Sequence, residues 1–464
     1  MEATIEIAKS VFKQNKYQET IDTCKKILAT KKNSLEAIKL IAKAFTKLKK
    51  IDDARLYLNQ ALKIKPDDYE VIKDLGNTYH AIGDINTAKK LYQKAISFNN
   101  NYAQALTNLG SIELIIGNKQ EALSLLIKAA ESDPQLSSAW TNLANGYFEL
   151  GKKQEAETSC RKAIELNPYI FKPYLLHGAI LFEQNKLQEA EQPLLKAIEL
   201  NPNIFNSHFL LGTILLMLNR HQEAEKYLLK AIELNPDSAD AHSNMGIILK
   251  DLGKLQEAEN SYRKAIELNP DLVDANLNLG AVLKDLGKLQ EAEICTCKAI
   301  ELNPDSAEAH FNLGKIFKDI GNLQEAEVSI RKAIEIKPDF AEAYSNLGSI
   351  LSNLGKLQDA ELSTRKAIEI KPDFIEALSN LAIILKDLGN IQEAKLSVLH
   401  AIKIKPDLAN SHYTLSILYS EENDYEKAYK EINLAIKYDS KNHIYRGELA
   451  RLKFIIDEYD NENY

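Results

Sequence analysis

The chain has 464 residues, 45% of them hydrophobic and 27% charged, which is too apolar for a disordered chain and enough for a large buried core. A net charge of −8 leaves no broad basic field, so neither nucleic acid nor an acidic membrane is expected as a partner. No apolar run approaches the roughly 20 residues of a membrane span, the opening Met1-Glu-Ala-Thr-Ile-Glu lacks the order of a signal peptide, and 4 cysteines in so long a chain fit a reducing, cytoplasmic setting.

Ten of the 12 prolines form a ladder: Pro66, Pro134, Pro168, Pro202, Pro236, Pro270, Pro304, Pro338, Pro372 and Pro406. The rungs lie 34 residues apart, except for one gap of 68 in which Asn100 holds the missing place. A fixed period of this length marks an architecture of stacked repeats, each burying its apolar face on the next. Counted from Met1, thirteen 34-residue blocks fill residues 1–442 without insertion or deletion, and residues 443–464 follow.

Block 1 departs most, with Thr20, Ile27 and Lys32 where later blocks carry alanine, alanine and proline. An end repeat shows one face to water, so such departures are expected there. From block 2 onward alanine recurs at block position 20, from Ala54 to Ala428, and at position 27, from Ala61 to Ala435. Position 8 is Gly76, Gly110, Gly178, Gly212, Gly246, Gly280, Gly314 and Gly348, with Ala8, Ala42, Ala144, Ala382 or Ser416 elsewhere. Mid-helix glycine costs about 1 kcal/mol relative to alanine, so its return implies two helices too close for a larger side chain. Position 8 is expected to oppose position 20, and position 27 to seat the first helix of the next block. Block 8 shows the local order. Residues 240–252 carry apolar side chains at helical spacing. Gly253 supplies the left-handed residue that closes this helix, residues 256–268 form a second one, and Pro270 stops it. Asp271 is expected to lend a side-chain oxygen to the start of the next helix. After block 13, Leu449, Ala450, Leu452, Ile455 and Ile456 give a closing helix its apolar stripe, and its polar end, 457–464, is expected to fray.

Block 5 reads Trp140-Thr-Asn-Leu143-Ala144-Asn-Gly-Tyr147, then Ala156, Cys160, Ala163 and Pro168. In this pattern the chain resembles the tetratricopeptide repeat over residues 1 to about 442, with Cys160 standing where an aromatic is usual. The array is similar to the repeat superhelix of O-GlcNAc transferase-type proteins, without a catalytic domain. The resemblance implies an all-α, right-handed α-solenoid of about 13 helix-turn-helix repeats with a C-terminal capping helix. It also implies that first helices line a concave groove, through block positions 2, 5, 6, 9, 12 and 13.

Several residue sets face that groove. Lys73, Asn77 and Asn108 match three members of a two-carboxylate clamp with which some relatives hold a partner's C-terminal carboxylate. Ser138 and Asn142 stand where the clamp's remaining basic pair is needed, so only a partial clamp is present. Position 6 is asparagine in seven blocks: Asn108, Asn142, Asn244, Asn278, Asn312, Asn346 and Asn380. An amide donates and accepts, so such a row can hold the backbone of an extended peptide regardless of its sequence. Blocks 6 and 7 break the pattern with Leu175, Leu176, Ala179 and Phe182, then Phe209, Leu210, Thr213, Leu216 and Met217, and Phe148 of block 5 extends this apolar patch. This patch suits a partner's apolar side chains or a second copy of this chain. Further on, Lys250, Lys284, Lys318 and Lys386 at position 12 lie beside Asp251, Asp285, Asp319 and Asp387 at position 13. Asp240, Asp274, Glu308, Glu342 and Glu376 hold position 2, and rows of opposite sign can fix the register of a charged peptide.

No phosphate-cradling glycine loop and no His-Glu-x-x-His pair occurs. His208, His242, His310 and His412 share position 4, but equivalent sites on stacked repeats lie roughly 8–10 Å or more apart. That is too far to share a zinc ion, whose ligands sit about 2 Å away. Cys295 and Cys297 are two apart on a helix and so point to different faces. The expectation is a non-enzyme without cofactor or metal: a scaffold that binds a peptide or protein in its groove. Recruitment of substrates to a transferase, and self-assembly, are the alternatives.

Overall fold

The computed structural model describes residues 4–462. Among them the chain forms twenty-seven α-helices and no strands, two helices for each 34-residue block and a last one, His443–Glu462. The fold is an all-α helical-repeat fold. The period runs through two compact units, Met1–Asn235 and Pro236–Tyr464, each a stack of helical hairpins. In repeat 8 the hairpin is Ala239–Asp251 and Leu255–Leu268, one residue from the boundaries the periodicity gives.

The turn inside each hairpin has one backbone demand. Position 15 is left-handed in every repeat: glycine in eight, for example Gly253 at φ 74°, and Asn15, Lys49, Asn185, Asn219 and Asn423 in the others, at φ 58° to 63°. Glycine meets that demand without strain, asparagine tolerates it, and a lysine pays for its Cβ.

Close approach of the two helices explains the glycines at position 8, but the opposing residue is not the expected one. A Cβ on Gly110 would meet Leu126 Cγ at 2.6 Å, and one on Gly314 would meet Ile330 Cδ1 at 2.6 Å. Both partners stand at position 24. Position 20 contributes its backbone carbonyl, Ala122 O at 3.3 Å and Ala326 O at 3.2 Å from the same points. Positions 20 and 24 share one face of the second helix, and the longer side chain one turn on reaches the glycine first. In repeat 5, where position 24 is Cys160, position 8 is Ala144 and the two pack in one cluster. Position 27 does seat the next repeat, since Ala95 clusters with Ala105, Ala129 with Ala139, and Ala299 with Ala309.

Asp271 does not cap the following helix, Val273–Asp285, whose N-cap is Leu272 with no side-chain hydrogen bond. Asn269 Oδ1 instead accepts from the Asp271 N–H at 3.2 Å. Asparagine four residues before the helix thus ties the turn to itself. Side-chain caps occur one residue later, where Ser238 accepts from Ala241 N–H and Ser306 from Ala309 N–H.

A second device fixes the junction between repeats. The position-4 side chain donates back six residues to the carbonyl of the ladder proline: Trp140 Nε1 to Pro134 O at 3.0 Å, Asn276 Nδ2 to Pro270 O at 3.2 Å, and the Nε2 of His208, His242, His310 and His412 to Pro202, Pro236, Pro304 and Pro406 O at 2.8 to 3.1 Å. The histidine series is thus engaged in joining repeats.

Within each unit successive first helices touch, as Ser137–Glu149 does with both Ala103–Ile115 and Phe171–Glu183. Second helices of neighbouring repeats meet through long side chains: Arg220 with Glu191 at 2.6 Å, Lys288 with Glu259 at 2.7 Å, Lys356 with Glu327 at 2.8 Å. The first-helix face is therefore the inner, more crowded one. At the C-terminal end Tyr445 and Leu452 are buried against Ala428, Ile432 and Ala435, with Leu449 beside them. Ile455 and Ile456 are half-buried, and Ala450 is exposed. The expected fraying of 457–464 concerns side chains and end residues outside those described.

Candidate functional site

A concavity on the first-helix face of the first unit lies across repeats 5 to 7. Its volume is about 470 Å³. Leu175, Leu176, Ala179, Phe209 and Leu210 form an apolar floor, and Asn142, Asn145 and Asn206 add amides, with Thr141 and Lys172 beside them. Every one of these residues stands at position 2, 5, 6 or 9 of its repeat. Three successive first helices supply them, Ser137–Glu149, Phe171–Glu183 and Phe205–Met217. Lys172 is the one charged lining residue.

The structure thus brings together Asn142 from the asparagine row and five residues of the apolar patch, Leu175, Leu176, Ala179, Phe209 and Leu210. Phe148, Phe182 and Leu216 are half-buried nearby along the same helices, and Met217 is 50% exposed. Phe148 and Leu176 pack on the Ala144–Cys160 cluster, and the Phe209 ring stacks on Phe205 with centroids 5.3 Å apart. Sequence reasoning singled out neither Asn145 nor Asn206 nor Lys172. Their block positions, 9, 2 and 2, are the signal that could have found them.

All seven position-6 asparagines are half-buried. Three of them bond within the fold: Asn108 Nδ2 donates to Asn77 Oδ1 at 2.8 Å, Asn346 Nδ2 to Glu342 O at 3.0 Å, and Asn380 Nδ2 to Ser345 Oγ at 3.1 Å. The side chains of Asn142, Asn278 and Asn312 make no hydrogen bond among the described residues. Asn244 does have a partner.

Lys73, Asn77 and Asn108 meet where repeats 3 and 4 adjoin. Asn77 Oδ1 accepts from both Asn108 Nδ2 and the Tyr92 hydroxyl, each at 2.8 Å, and burial pushes the Tyr92 phenol pKa up, keeping it a neutral donor. Lys73 Nζ lies 2.6 Å from Asp74 Oδ1. Asn77 also lines a smaller inner-face cleft of about 350 Å³ with Phe12, Lys43 and Lys47.

In the second unit the charged rows largely answer one another. Lys284 pairs with Asp285 at 2.8 Å and reaches Asp319 at 4.0 Å, Lys386 pairs with Asp387 at 3.2 Å, and Lys318 Nζ donates to Ser349 Oγ at 2.9 Å. Lys250 is half-buried beside Asp251. Cys295 and Cys297 are free thiols, both half-buried, and burial raises the pKa of each.

No helix among the described residues is long and apolar enough to cross a membrane. No curated protein matches the sequence. Among solved structures, the crystal structure of the APC/C hetero-tetramer Cut9-Hcn1 is 14% identical, with a TM-score of 0.47 over 96% of this chain and 95% of that one. The crystal structure of YrrB, described as a TPR protein with an unusual peptide-binding site, is 25% identical, with a TM-score of 0.34 over 40% of this chain and 95% of that one. Profiles of the tetratricopeptide repeat match residues 11–75, 103–136, 137–169, 175–239, 227–260, 273–306, 307–340, 341–374, 375–408 and 409–442, and a TPR repeat profile matches 76–113 and 248–287. With its hairpins, glycines and prolines in one register across these stretches, the chain belongs to the tetratricopeptide repeat family.

Proposed function

We propose that the protein is an interaction scaffold that holds an extended segment of a partner protein along its first-helix face. Repeats of this family support such a role. The observation that carries it is the cleft across repeats 5 to 7. An apolar floor there is edged by amides, and Asn142 makes no hydrogen bond among the described residues. The floor takes one or two large apolar side chains, and the amides take the backbone around them whatever the sequence. Asn278 and Asn312 extend the same backbone recognition in the second unit.

The test is selection of displayed peptides on the full chain, counter-screened on Leu176→Asp and Asn142→Ala. Enriched peptides should carry large apolar residues, and they should lose about tenfold or more in affinity on each variant, a change of roughly 1.4 kcal/mol. Equal binding to wild type and both variants refutes the assignment.

A further inference from the structure

Repeat 6 breaks the register twice on its outer side. Position 7 is apolar in twelve repeats and leucine in nine of them, but the sixth places His177 there. The second helix of the same repeat, Leu187–Leu200, contains Pro193 in its interior. A proline there removes a backbone N–H and leaves the carbonyl one turn earlier without its helical partner. Both residues line one cleft of about 450 Å³. It lies where Lys153–Leu166 of repeat 5 meets the two helices of repeat 6.

The cleft is graded from mouth to floor. Arg161, Glu165 and Gln192 are exposed at its rim, Ile164, Tyr174 and Pro193 are half-buried walls, and His177 is 7% exposed at the bottom. The rim charges are already answered: Arg161 donates to Glu157 Oε1 at 2.8 Å and Lys162 to Glu165 Oε2 at 3.0 Å. Little is left there to select a charged ligand. His177 Nε2 is buried and has no hydrogen-bond partner among the described residues. Buried polar atoms are ordinarily paired, so an unpaired one needs an explanation.

The environment specifies the missing group. Burial pushes the His177 pKa down, with Arg161 adding to the effect, so the ring is neutral, with one N–H and one lone pair. A hydroxyl answers either tautomer, because it both donates and accepts. The pyrrolidine, phenol and isoleucine walls suit a flat apolar body. The volume stands at the small end of ligand sites, roughly 300–1,000 Å³.

We propose that this outer cleft receives a tyrosine side chain of a partner polypeptide, its ring against Tyr174 and Pro193 and its hydroxyl paired with the His177 ring. The site is separate from the first-helix face and does not depend on the role proposed for it.

The test titrates the full chain with N-acetyl-L-tyrosinamide and, as control, N-acetyl-L-phenylalaninamide, read by saturation-transfer NMR. The tyrosine probe should bind saturably and at least about fivefold more tightly than the phenylalanine probe, the margin of one buried hydrogen bond. His177→Leu installs the residue of nine other repeats, keeps the fold, and should bind the two probes alike. The variant Asn278→Ala/Asn312→Ala/Asn346→Ala should keep the full tyrosine preference. The proposal is overturned if the tyrosine probe does not saturate, if wild type binds both probes equally, if His177→Leu retains the preference, or if the asparagine variant loses it.

Discussion

A Cβ placed on Gly246 would stand 2.6 Å from Cε1 of Tyr262, inside the ring's van der Waals surface. The same contact recurs between Gly76 and Tyr92. The two tyrosines differ at the hydroxyl. Tyr92 donates to Asn77, whereas Tyr262 OH has no partner among the described residues, because Ile247 holds the place of Asn77 in repeat 8. The helix contact therefore depends on the ring and not on its hydroxyl.

Gly246→Ala should destabilise the second unit by about 1–3 kcal/mol, the usual cost of overpacking. Gly246→Ala/Tyr262→Cys copies the Ala144–Cys160 pair of repeat 5 and should cost less than the sum of the single changes. Urea denaturation of the four proteins in a double-mutant cycle measures the coupling. Strict additivity would show that residue 246 does not meet residue 262.

Lys49 holds the left-handed turn of repeat 2 at φ 58°. Lys49→Gly should raise stability by about 1 kcal/mol, since glycine carries no Cβ penalty in that conformation. Gly253→Lys is the mirror experiment and should lose a similar amount. Chemical denaturation monitored by far-UV circular dichroism reads both.

Lys356 donates to Glu327 across neighbouring repeats at 2.8 Å. That hydrogen bond holds the Glu327 carboxyl below its ordinary value of 4.5, with help from Arg331 and against partial burial. A depressed carboxyl pKa means the unfolded chain takes up the proton first. The contact then stabilises the fold fully above pH 4.5 and is lost as pH falls through the lower folded value. Lys356→Met should flatten the stability profile on that acid limb and leave its slope near neutrality unchanged. Thermal melts at stepped pH distinguish the two.

The variant Asn278→Ala/Asn312→Ala/Asn346→Ala should keep native helicity, because these amides lie half-buried on the inner face and hold no hairpin together. A peptide ligand spanning repeats 9 to 11 should lose about 2 kcal/mol or more of binding free energy, given roughly 0.5–1.5 kcal/mol for each hydrogen bond. Isothermal calorimetry with an unchanged affinity would remove the asparagine row from the interface.

The hairpins and their junctions were legible because each is written thirteen times in phase. A single glycine at position 8 says little, but eight in register fix where two helices cross. What repeats could not reveal is which of two residues on one helix face comes nearer. Position 20 is alanine in twelve repeats and draws the eye, whereas position 24 varies among Cys, Leu, Tyr, Thr, Ile and Val, and its longer side chain reaches the glycine first. The partnership of Asn77 with Tyr92 and Asn108 was hidden for the same reason, since it joins residues 15 and 31 positions apart. The cleft of repeats 5 to 7 was legible through its apolar residues and not through Lys172, because a lone surface lysine has no pattern. His177 departs from the repeat only when its column is set against the other twelve.

Nearly every helix touches only its neighbours in sequence and the next one beyond. Loop-closure entropy is therefore small for each contact, and topologies of this sort assemble quickly. Any hairpin can serve as the nucleus, with growth spreading in both directions. Shortening the chain from either end by whole hairpins should thus leave the remainder foldable, losing stability by increments and not in one collapse.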